Sequence, residues 1–155
     1  MTIWVDSDSL PRDLRALLLR KQGKELVPGE AVELRFVACR HLSDLPPALE
    51  ILVEPGPDAA DAAILASARP GDLVVTRDIP LAARAVATGL ACINDRGEVF
   101  TGSTVSERLS LRDAAAELRL IGLAPASPRG STRTPRDVKR FADALDRSLA
   151  VLRKK

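Results

Sequence analysis

Five aspartates have spacings that let an alternating α/β chain bring them to one place: Asp6 and Asp8, then Asp58 and Asp61, then Asp78. Carboxylates crowded together repel one another unless a cation neutralises them, and hard oxygen donors with room for water suit Mg²⁺ or Mn²⁺. Two such ions about 4 Å apart clamp the attacking water and the leaving oxygen of an in-line phosphoryl displacement. That chemistry needs neither histidine nor cysteine. The single histidine, His41, lies in a polar stretch and reads as a surface side chain or a local hydrogen bond. Cys39 and Cys92 stand far apart without a C-x-x-C partner and read as reduced residues of the core.

Each acid also has a purely structural reading. Asp58 and Asp78 precede predicted helices, where an aspartate caps exposed N–H groups and stabilises by roughly 1 kcal/mol. The Ile79-Pro80 pair strengthens that reading for Asp78. Asp8 can cap the first helix in place of Ser9, and Asp61 can be an exposed first-turn acid. Asp6 resists best, because a charge that ends a buried apolar strand has little structural benefit.

The elements that must position these acids alternate between strand and helix. Thr2 to Asp6 reads as a buried strand, followed by a helix that Ser9 can cap and Pro11 can open, running toward Lys21. Val32 to Ala38 and Leu49 to Val53 read as strands, and Pro55-Gly56-Pro57 turns the chain into a helix from Asp58 to Ala68. A strand Asp72 to Thr76, a helix Ile79 to Thr88 and a strand Leu90 to Ile93 follow, then a turn and a short edge strand, Glu98 to Thr101. A helix from Ser103 to Ile121 carries Val105, Leu109 and Leu118 on one side. Residues 124–135 read as a mobile loop before a last amphipathic helix opened by Thr134-Pro135.

Such alternation implies a three-layer α/β/α fold with a mainly parallel central sheet and the C-terminal helix packed on the domain. Ligands of open parallel sheets bind beyond the carboxyl ends of the strands, where strand order reverses. If the order is 3-2-1-4-5, Asp6 and Asp78 face one crevice across that point. Asp58 and Asp61, three residues apart, reach it from a helix face.

Composition sets the outer bounds. With 155 residues, 46% hydrophobic and 28% charged, the chain suits one domain over residues 1–155. No apolar stretch is long enough to span a bilayer and the N-terminus does not read as a signal peptide, so a cytoplasmic protein with no membrane partner is expected. A net charge of +2 does not by itself make a nucleic-acid binder, but the last third is basic. Its arginines suit either phosphate contacts or a solvated helix face. Aromatics are 3% with no tyrosine, which argues against a base-stacking platform.

The run Trp4-Val5-Asp6-Ser7-Asp8-Ser9-Leu10-Pro11, then Asp58-Ala59-Ala60-Asp61, then Pro70 to Ala82 with its Asp78-Ile79-Pro80-Leu81-Ala82 block, resembles the YaiI/YqxD-like family of bacterial proteins. Asn94-Asp95-Arg96-Gly97-Glu98, Arg108-Leu109, Arg112-Asp113, Leu118-Arg119 and Phe141 to Asp146 follow the same order, so the likeness covers nearly the whole chain. The resemblance implies a PIN-like nuclease fold and a metal-dependent ribonuclease-type site. It would make Asp6, Asp8, Asp61 and Asp78 metal-binding acids, with Asp58 nearby and Arg108 and Arg112 as phosphate contacts. Arg77 and Arg119 join these two as candidate nucleic-acid contacts. The chain departs from the pattern at Leu10, at Cys39-Arg40 and in Ala124 to Arg133, changes that bear on substrate recognition.

The expected function is therefore Mg²⁺- or Mn²⁺-dependent hydrolysis of RNA or another phosphodiester, with Asp6 and Asp78 as the catalytic pair. One alternative is a non-catalytic RNA- or nucleotide-binding module in the same crevice. Another is a haloacid-dehalogenase-type phosphatase with Asp6 as nucleophile, a route that lacks a lysine soon after Thr76.

Overall fold

Strands covered on both faces must be apolar at nearly every position, and the longest runs of such residues form the middle of the sheet. The computed structural model describes residues 1–27, 30–122 and 133–154. It opens with β1 (Thr2–Asp6), α1 (Arg12–Leu19), β2 (Glu25–Val27), β3 (Glu30–Ala31) and β4 (Glu33–Ala38). A 3-10 turn (Pro47–Leu49), β5 (Glu50–Leu52), α2 (Ala59–Ser67), β6 (Leu73–Val75) and α3 (Ile79–Ala87) follow. The chain continues through β7 (Ala91–Ile93), β8 (Val99–Phe100), α4 (Gly102–Leu120) and α5 (Pro135–Leu152).

Six strands form one sheet in the order β5-β4-β1-β6-β7-β8, parallel throughout except for β8 at the edge. Leaving out β8, this is the predicted 3-2-1-4-5 order, and the reversal falls between β1 and β6. Strand parity sorts the core into two layers. Ile3, Val5, Leu34, Phe36, Leu73, Val75 and Ile93 pack with α1 and α5, through Leu14, Leu18, Phe141, Leu145 and Leu149. Trp4, Val37, Val74 and Cys92 point the other way and pack with α2, α3 and the start of α4, through Ile64, Leu81, Ala85 and Val105. The predicted three-layer α/β/α fold is the one observed.

Two local devices hold α5 in place. Thr134 and Asp137 form a reciprocal capping box with Pro135 in the first turn, and those hydrogen bonds hold the Asp137 carboxyl below the ordinary carboxylate range. Gly97, at φ +74°, brings its turn so close to α5 that an added Cβ would lie 2.5 Å from the Arg140 carbonyl oxygen. Only glycine meets both conditions.

Several expectations need correction. Ser9 does not cap α1, whose N-cap is Pro11 without a side-chain bond; the Ser9 hydroxyl instead donates to the Asp6 carbonyl at 3.2 Å. Asp8 does not cap it either. Cys39 is half-buried and belongs to neither core layer, because it lies just past the last strand residue of β4; Cys92 is fully buried, which pushes its thiol up to about 12, and both are free. Along α4 only Val105 is buried, and Leu118 is exposed, since the helix continues beyond the layer it packs on. The β2–β3 ribbon was not foreseen. The predicted loop falls mostly outside the described residues, and of its last positions Thr134 is the cap and Pro135 the first residue of α5.

Candidate carboxylate crevice

The parity that sorts the core also aims the residues just past the strands. Asp6 follows Trp4 by two and Thr76 follows Val74 by two, so both side chains leave the sheet on the side of α2 and α3. The Thr76 hydroxyl donates to Asp6 Oδ2 at 2.7 Å and accepts from the Asp78 N–H at 2.9 Å. Thr76 is wholly buried and Asp6 is 5% exposed. A carboxylate this deep is costly unless it is compensated, and its bonded partner is a neutral hydroxyl.

The other acids arrive from three loops and a helix. Asp8, exposed in the β1–α1 loop, accepts from the Cys39 N–H at 2.8 Å and so ties that loop to the end of β4. Asp78 caps α3, taking the Leu81 N–H on Oδ1 at 2.8 Å with Pro80 in the first turn. Asp61, in the first turn of α2, is buried and not an exposed acid; its Oδ2 meets Arg84 Nη2 of α3 at 2.8 Å. Asp58 occupies the N-cap position of α2 but makes no capping bond, and its left-handed φ of 55° is the one such value at a described non-glycine residue.

All five aspartates line one open crevice of about 340 Å³, together with Ser9, Cys39, Gly56, Ala59 and Ala60. Burial raises the Asp61 carboxyl above its ordinary value, the charges of Asp78 and Asp6 raise it further, and Arg84 opposes them. The Cys39 thiol is likewise raised, first by desolvation and then by Asp8. Among the described residues, no three acidic, histidine or cysteine side chains lie close enough to hold one metal ion as they stand. The donor set nevertheless has the chemistry of a hard-cation site: Asp6, Asp8, Asp61 and Asp78 each have one oxygen anchored by the protein.

The predicted basic residues divide. Arg77 stands at the crevice rim, where its N–H donates to Ser9 Oγ at 3.3 Å and its Nε lies 3.3 Å from Asp95 Oδ2. Buried Asp95 also meets Arg133 at 3.4 Å, so it is shared by two guanidinium groups. Arg108, Arg112 and Arg119 all lie on α4 and none lines the crevice. Arg108 pairs with Glu98 at 2.6 Å and borders a separate groove with Val99, Phe100 and Leu111. His41 makes the local bond expected of it, with Nδ1 2.6 Å from Glu50 Oε2. Sequence reasoning missed Arg84 and the role of Thr76; parity past β6 was a sufficient signal for Thr76, while nothing in the spacing pairs Arg84 with Asp61.

Fold and crevice together define a three-layer α/β protein with an acidic pocket at the carboxyl edge of its sheet, at the point where strand order reverses. Residues 4–151 match the model of the "Uncharacterized BCR, YaiI/YqxD family", and the chain belongs to that family. Its relatives include a UPF0178 protein of Treponema pallidum, 45% identical over 98% of this chain and 83% of that one. Others are UPF0178 proteins of Xanthomonas oryzae, 46% identical over 96% of this chain and 89% of theirs, and of Myxococcus xanthus, 41% identical over 98% and 96%. No solved structure matches. No described helix is long and apolar enough to cross a membrane.

Proposed function

We propose that this protein is a PIN-like, divalent-metal-dependent nuclease that hydrolyses RNA phosphodiesters in the aspartate crevice. The observation that carries the reading is the half-anchored state of four carboxylates around one crevice: each has one oxygen fixed by the protein, and all four line the same opening. Asp6, Asp8, Asp61 and Asp78 would hold Mg²⁺ or Mn²⁺, with Asp58 at the outer edge. A bound ion of that kind supplies Lewis acidity and lowers the pKa of its water.

The protein's own residues do the positioning. Thr76 fixes the plane of the Asp6 carboxyl and, through the Asp78 N–H, the loop that carries the second acid. Asp78 and Asp6 are the catalytic pair. Arg77, beside Asp78 and braced by Asp95, would meet a phosphate entering from the rim, whereas Arg108, Arg112 and Arg119 would meet a longer strand along α4. A short strand therefore depends on Arg77 more than on α4.

The test is cleavage of a labelled single-stranded RNA in Mn²⁺ by the wild type, Asp6→Asn and Asp78→Asn. Asn can still cap α3, so the second substitution removes charge while retaining the cap. Wild-type cleavage that is lost in both variants, with unchanged circular dichroism, supports the reading; full activity in both contradicts it. Mn²⁺ and RNA binding without cleavage would instead support the non-catalytic module.

A further inference from the structure

Among the described residues, the Arg84–Asp61 pair is the one contact in the crevice that joins a carboxylate to a guanidinium, at 2.8 Å between α3 and α2. The two ends differ in environment. The Asp61 side chain is 12% exposed and that of Arg84 is 44% exposed, so the acid is held in place while the guanidinium can leave into water. Asp61 also feels the charges of Asp78 and Asp6, which lie in the same crevice and have no such cationic partner among the described residues. Arg84 thus supplies positive charge to a buried carboxylate that the neighbouring acids repel.

We infer that Arg84 is a built-in counter-cation that occupies Asp61 in the metal-free protein and is displaced when a divalent ion takes that carboxylate. The inference rests on the metal-binding reading of the crevice. It accounts for why the acids gather at one opening and yet do not converge closely enough to hold an ion as they stand: the Asp61 oxygen is turned to Arg84. Arg84 is a positioning residue in this scheme. It sets how readily the ion enters and touches no reacting atom.

The measurement is Mn²⁺ titration by calorimetry at pH 8 for the wild type, Arg84→Gln and Arg84→Lys, with thermal unfolding of each protein in chelator and in saturating Mn²⁺. Arg84→Gln is expected to bind Mn²⁺ about fivefold more tightly, the size of one partly exposed ion pair. Arg84→Lys keeps a cation on a comparable stem and is expected to return toward wild-type affinity. Unfolding provides a readout independent of activity: the loss of stability in Arg84→Gln should be seen in chelator and should shrink in Mn²⁺. A plain helix-to-helix clamp would instead lower stability equally in both conditions and leave affinity unchanged or weaker, which overturns the inference while the metal site stands. Absence of Mn²⁺ binding by wild type and variants alike removes both.

Discussion

Asp72 and Asp6 sit at opposite ends of neighbouring strands, and their surroundings separate an acid that builds the fold from one proposed to hold a ligand. Asp72, just before β6, accepts from the Thr2 N–H at 2.8 Å on one oxygen and from Trp4 Nε1 and the Arg69 N–H at 3.1 and 3.0 Å on the other. Both of its oxygens are spent on the protein. Asp6, at the end of β1, is bonded through one oxygen to Thr76, and Asp8, Asp61 and Asp78 repeat that pattern in the same crevice. Asp44 belongs with Asp72, since Arg15 grips both its oxygens at 2.9 and 2.8 Å. A carboxylate with both oxygens saturated stabilises the fold. Half-anchoring alone does not mark a ligand site, since Asp137 caps α5 through Oδ2 alone; what sets the crevice apart is that four half-anchored carboxylates share one opening.

The sharpest way to break the comparison is to remove Asp72. Asp72→Ala leaves the half-buried ends of β1 and β6 without acceptors and is expected to cost about 2–3 kcal/mol in chemical unfolding, with unchanged Mn²⁺ affinity. A large effect on metal binding would erase the distinction between the two acids. Thr76→Val should lie between them: a loss of about 1–2 kcal/mol from one buried and one part-buried hydrogen bond, together with a roughly 10-fold weaker Mn²⁺ affinity because Asp6 loses its anchor. Thr76→Ser keeps the hydroxyl and should recover the affinity.

Asp61 and Asp44 titrate with opposite sign. The Asp61 carboxyl is raised above the ordinary 3.8, so the metal-free protein loses stability as pH rises from that value through the raised one. Asp44 is lowered by Arg15, so its stabilisation is present above 3.8 and is lost as pH falls through the lowered value. In chelator, Asp61→Asn should flatten the fall and Asp44→Asn the rise, both read from unfolding free energy against pH. The smallest effect is expected at exposed Asp8. Asp8→Ala should change stability by no more than about 0.5 kcal/mol while weakening Mn²⁺ binding.

Much of this arrangement was legible in the chain. The apolar runs of β1, β4 and β6 and the Pro-opened helices announce an open parallel sheet, and its switch point brings Asp6 and Asp78 together. Periodicity carried less information wherever an element outruns its support. Leu118 shares the predicted packing side of α4 with Val105 and Leu109, yet it is exposed because the layer beneath the helix ends near Leu109. Cys39 was misread for a related reason: an apolar-looking residue one step past a strand belongs to the crevice, not to the core. Arg84 was invisible because a pair between two helices depends on how those helices pack, which local spacing does not encode.

The most direct test of the central claim is Mn²⁺ titration of the wild type beside Asp6→Asn/Asp78→Asn and Asp72→Asn, with circular dichroism on the same samples. The expected result is binding in the wild type and in Asp72→Asn, and a loss exceeding the roughly 10- to 100-fold cost of an outer-shell change in the double variant, with its fold retained. Equal binding by all three proteins, or binding by none, would contradict the assignment of the half-anchored aspartates to a metal.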